Sequence, residues 1–130
     1  MARAKRRSAL DNTFIARPYG IPVVVCASTA ARIEAESALD DAYDPDDEDV
    51  VQGAAGYTLP IPGGAIIITV LDGSLATLVH ECGHAAMFIL QRCGIDPTDS
   101  NGETYCYLLE DLFTQARALI HPARGPASRH

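Results

Sequence analysis

The apolar positions of the chain fall into short unbroken runs and longer stretches with helical spacing. Residues 21–27, "IPVVVCA", are β-branched and apolar throughout, which predicts a buried strand. In "STAARIEAESALDDAY" either Ser28 or Thr29 can cap a helix on which Ala31, Ala35, Ala38, Leu39 and Ala42 share a face. Pro45 ends any helix there, and the acidic run "DDAYDPDDEDVV" reads as a solvated loop; it lacks the glycine and terminal glutamate of an EF-hand calcium loop. "GYTLP", "IPGG" and "AIIITV" then read as strand, turn and strand, the second too uniformly apolar at Ile66, Ile67, Ile68 and Val70 to lie on an exposed face. "LDGS" breaks that strand, Ser74 caps the next helix, and Gly94 with Pro97 stops it after Cys93. A last helix runs from about Gly102 to about Ile120, before Pro122. Strand, helix, two strands and two helices make an α+β domain with a small mixed sheet. It spans residues 15–121, between a basic tail (1–14) and a C-terminal tail (122–130).

The chain has 130 residues, 48% of them hydrophobic, enough for one packed core. No apolar run reaches the ~18 residues of a membrane span, and no apolar segment follows the basic start "MARAKRR" as in a signal peptide, so the expectation is a cytoplasmic protein without membrane contact. A net charge of −7 argues against nucleic-acid binding by the folded body, and "RAKRR" reads as a short solvated arm. The four cysteines include no CxxC pair, and reduced thiols are the default in that compartment. Cys82, Cys93 and Cys106 fall in helical, mostly apolar segments, which predicts buried thiols acting as small hydrophobes.

The helix after Ser74 carries the candidate chemistry, "HECGH". At about 100° per residue, Thr77, His84, Met87 and Gln91 lie within ~60° of His80, while Leu75, Leu78, Val79, Cys82, Ala85, Ala86, Ile89, Leu90 and Cys93 cover the opposite side. Histidines at i and i+4 can converge their ring nitrogens on one Zn²⁺, leaving room for a third ligand and a water. Glu81 flanks such a metal without ligating it, the place for a general base acting on zinc-bound water.

"HECGH" matches the HExxH motif of the zincin metallopeptidases, and the strand–turn–helix segment around it resembles their edge strand leading into the active-site helix. The resemblance covers roughly residues 50 to 115. It implies a minimal zincin-like fold, Zn²⁺ bound by His80 and His84, Glu81 as the base, and Ile66–Val70 as the edge strand that pairs with a peptide substrate. The "HxxGxxH" continuation of metzincins is absent, whereas "NGETYCYLLEDLF" is similar to the second-helix glutamate region of gluzincin-like proteins, including ImmA/IrrE-type peptidases and small phage-encoded HExxH proteins.

For the third ligand Glu103 is the first choice and Glu110 the substitute; Cys106 is a soft ligand that would suit a structural zinc. "SNGE" is also a capping box, with Ser100 as N-cap and Glu103 at N3. Tyr107, one turn from Glu103, is placed to hydrogen-bond a tetrahedral oxyanion or simply to pack. The expected activity is a zinc-dependent peptidase acting on a peptide or protein, in the host cytoplasm for a phage protein and with a protein partner making up for its small size. The alternative is a binding or assembly protein that keeps zinc for its fold.

Overall fold

The computed structural model describes residues 8–46 and 54–121. The basic arm before Ser8, the end of the acidic run and the C-terminal tail with His130 lie outside the described residues. Four strands, β1 (Thr13–Ala16), β2 (Ile21–Cys26), β3 (Gly56–Pro60) and β4 (Ile66–Val70), form one mixed sheet, and three helices, α1 (Thr29–Leu39), α2 (Leu75–Arg92) and α3 (Glu103–Ile120), pack on it. The class is α+β, as the pattern of runs predicts.

The strand order is β1-β2-β4-β3, with β2 parallel to β4 and both edge strands antiparallel to their neighbours. β4 is therefore central, and all five of its residues are buried. This agrees with its uniform apolarity and corrects the placement taken from the zincin resemblance: the edge strand beside α2 is β3. Side chains alternate across the sheet. Val23, Val25, Ile66, Ile68 and Val70 face the core shared with α2 and α3, whereas Val24, Cys26 and Ile67 meet Ala35 of α1 on the other face.

Local signals place the helix ends. Ser28 and Ser74 accept hydrogen bonds from the N–H groups of Ala31 and Thr77, each satisfying one of the orphan donors of a first turn. Asp72 reinforces the second cap: the Ser74 N–H and the Thr77 hydroxyl donate to its carboxylate and hold it below the ordinary carboxylate range. At the other end of α2, Gly94 takes φ +70°, and the Arg92 guanidinium donates to the carbonyls of Gly64 and Ile61 in the β3–β4 turn. No helix among the described residues is long and apolar enough to cross a membrane.

Four expectations change. Residues 8–14 are not tail: Ser8 caps a 3-10 turn, and Thr13 begins β1, an edge strand whose pattern is too short to stand out in sequence. α1 stops at Leu39, and it buries Arg32, which pairs with Glu36 and lies over the Tyr57 ring. The capping box at α3 does not form, because Ser100 and Asn101 adopt positive φ and Gly102 becomes the N-cap, leaving Glu103 as the first residue of the helix. Of the cysteines, Cys26 and Cys82 are buried, but Cys93 and Cys106 are exposed. Burial raises the Cys26 thiol to about 11 and the Cys82 thiol to about 12, so both stay protonated and serve as packing.

Candidate metal and catalytic site

The site is built on the middle of α2. Its apolar side packs Leu78, Cys82, Ala85, Ala86, Ile89 and Leu90 into the core, which turns His80 and His84 outward; Leu75, in the first turn, and Val79, at the edge of that side, stay exposed against expectation. Both imidazoles are exposed, and their Nε2 atoms stand 3.2 Å apart with the rings at 77°. Two Zn–N bonds of ~2.05 Å at a tetrahedral angle would set their nitrogens about 3.3 Å apart. The pair thus fits two positions of a zinc ion; at the same separation one ring nitrogen can donate to the other.

Glu81 turns about 100° away from this face and is buried, only 5% exposed. The Thr58 hydroxyl of β3 lies 2.8 Å from its Oε1 and 3.0 Å from its backbone carbonyl, and donates between the two. A carboxylate taken out of water needs such a donor. Thr58 engages Oε1, and Glu81 lines the depression beside it. That depression, of ≈ 470 Å³, opens between the start of β3 and the first turns of α2; Gly56, Ala76, Thr77, His80 and Glu81 are on its wall.

At Gly56 the sheet lies close against the helix. A Cβ there would lie 2.6 Å from the Thr69 carbonyl oxygen, 2.7 Å from Thr77 Cγ2 and 3.3 Å from Glu81 Cγ. The ordinary gain from Gly→Ala, about 0.4–1 kcal/mol through the unfolded chain, is smaller than the cost of overpacking, about 1–3 kcal/mol. Gly56→Ala should therefore destabilise the domain by roughly 1–2 kcal/mol in urea unfolding. An unchanged midpoint would show that β3 can move away from α2 freely.

The third-ligand candidates are not brought to the histidines. Among the described residues no three His, Cys, Asp or Glu side chains form a group that could hold a metal. The reason lies in the phase of α3: Leu108, Leu112 and Ala116 are buried and Tyr105 packs with them, while Glu103, two residues and about 200° from Tyr105, is exposed, as are Cys106 and Glu110. Tyr107 is 67% exposed. The phenol that meets α2 is Tyr105: its hydroxyl lies 3.5 Å from the carbonyl oxygen of Gly83, the residue before His84, and a Cβ on Gly83 would stand 3.1 Å from it.

Neither Thr58 nor Tyr105 stands out in the sequence as a site residue. The one local hint for Tyr105 was a glycine inside the histidine motif, which permits close approach of another group.

No family model, curated protein or solved structure matches this chain.

Proposed function

We propose that the protein is a zinc-dependent hydrolase, with a peptide or protein as substrate, in which His80 and His84 hold the metal and Glu81 is the general base. The observation that carries the reading is the combination on one helix of two imidazoles with zinc-compatible Nε2 separation and a neighbouring buried carboxylate fixed from a different element. Zinc would supply Lewis acidity and a water of lowered pKa. The chain's own part is to converge the two imidazoles, to hold the Glu81 carboxylate through Thr58, and to keep Oε2 ready to take a proton. The outer edge of β3, which among the described residues pairs only with β4, offers backbone N–H and C=O groups beside the same depression for an extended chain to pair with. Glu103 remains the proposed third ligand, by rearrangement at the start of α3, with Glu110 as its substitute and Tyr107 as oxyanion donor.

The second reading, a binding or assembly protein stabilised by zinc, is favoured by the exposure of both histidines without a third ligand among the described residues. The test is incubation of the zinc-loaded chain with unstructured peptides, followed by mass spectrometry. Cleavage that stops with a chelator and returns with zinc is the expected result. Stoichiometric zinc without any cleavage would replace the hydrolase with the assembly reading.

A further inference from the structure

The outward face of α2 is uncharged over its whole length. One residue in five of the chain is charged (21%), yet between Ser74 and Arg92 the only charged side chain is Glu81, which is buried. Around the histidines this face presents Ala76, Thr77, Gly83, Met87 and Gln91, flanked by Val79, which is 42% exposed. The charges at its two ends are engaged within the chain, Asp72 by Ser74 and Thr77 and Arg92 by the Ile61 and Gly64 carbonyls. Depletion of charge with retention of apolar groups marks the centre of a protein interface.

The metal geometry identifies the occupant. One chain supplies two nitrogens 3.2 Å apart, and a tetrahedral zinc takes four ligands. Two-fold symmetry presents the same patch on both partners, so a second copy would bring the same two imidazoles and the same uncharged helix face. We infer that two copies of this chain share one zinc through His80 and His84 of each, α2 against α2, as a resting form of the site. The inference rests on the histidine pair being a zinc site. A zinc held by four imidazoles has no open position, so the dimer would be inactive, and a second equivalent of zinc would convert it to one-zinc monomers.

Native mass spectrometry and light scattering on the full chain, with zinc titrated from none to two equivalents, test this. The expected series is monomer without metal, a dimer holding one zinc at half an equivalent, and one-zinc monomers in excess. Monomer at every ratio, with one zinc bound per chain, would overturn the shared site and leave the metal reading standing. No zinc on either species would overturn both. A dimer that survives chelation, or forms equally in His84→Ala, would overturn zinc sharing. Val79→Lys, at an exposed position outside the metal ligands, should weaken the dimer about tenfold or more by facing like charges across the interface while zinc binding by the monomer is unchanged. A Val79→Lys dimer as tight as the wild type would overturn the α2 face.

Discussion

Glu81→Gln should retain zinc and fold while the rate of peptide cleavage falls by about 10² to 10⁴. The amide has the shape of the carboxylate, and its carbonyl oxygen can accept the Thr58 hydroxyl at the 2.8 Å position now taken by Oε1. What disappears is the proton acceptor. With Glu81 only 5% exposed, a neutral side chain also avoids the cost of a buried charge, so the variant should unfold no earlier than wild type. Turnover numbers for both proteins, with zinc content measured on the same samples, give the answer. Equal turnover would remove Glu81 as the base, and loss of zinc along with activity would mean that it ligates the metal.

For His84→Ala the expected result is loss of zinc binding with almost no change in the metal-free fold. The side chain is exposed and among the described residues its one side-chain partner is His80, so removing it should change metal-free stability by no more than about 0.5 kcal/mol. On the proposed reading zinc would bind the folded chain alone, because folding brings the two imidazoles together. At zinc a hundredfold above its dissociation constant, wild type should gain about 2.7 kcal/mol, a rise in melting temperature of roughly 8–12 °C for a domain of this size. The variant should show no such rise. Thermal melts with and without zinc measure this directly; a zinc-dependent rise in His84→Ala equal to wild type would exclude the pair as the site, and His80→Ala provides the matching control.

Much of this protein is decided within single turns of chain, and that part was readable from sequence. Ser28 and Ser74 cap their helices because a side-chain oxygen three residues before an amide needs no tertiary partner, and Gly94 ends α2 because it accepts positive φ. The helical period puts His80 and His84 on one side of α2 and Leu78, Ala85 and Ile89 on the other; the unbroken apolarity of residues 66–68 requires a strand covered on both faces.

Tertiary structure decided what depends on residues distant in sequence. β4 became central because β2 joined it in parallel and β3 in antiparallel pairing, a choice absent from its own five residues. Thr58 reaches Glu81 across 23 positions, and Tyr105 meets Gly83 across 22, each through the packing of another element on α2. The first turn of α3 likewise went to the backbone: with Ser100 and Asn101 at positive φ, Gly102 is the N-cap, and Glu103, the first helical residue, faces solvent. A ligand at the end of a helix is placed by the loop that sets its phase, and a motif confined to five residues of α2 carries no information about that loop.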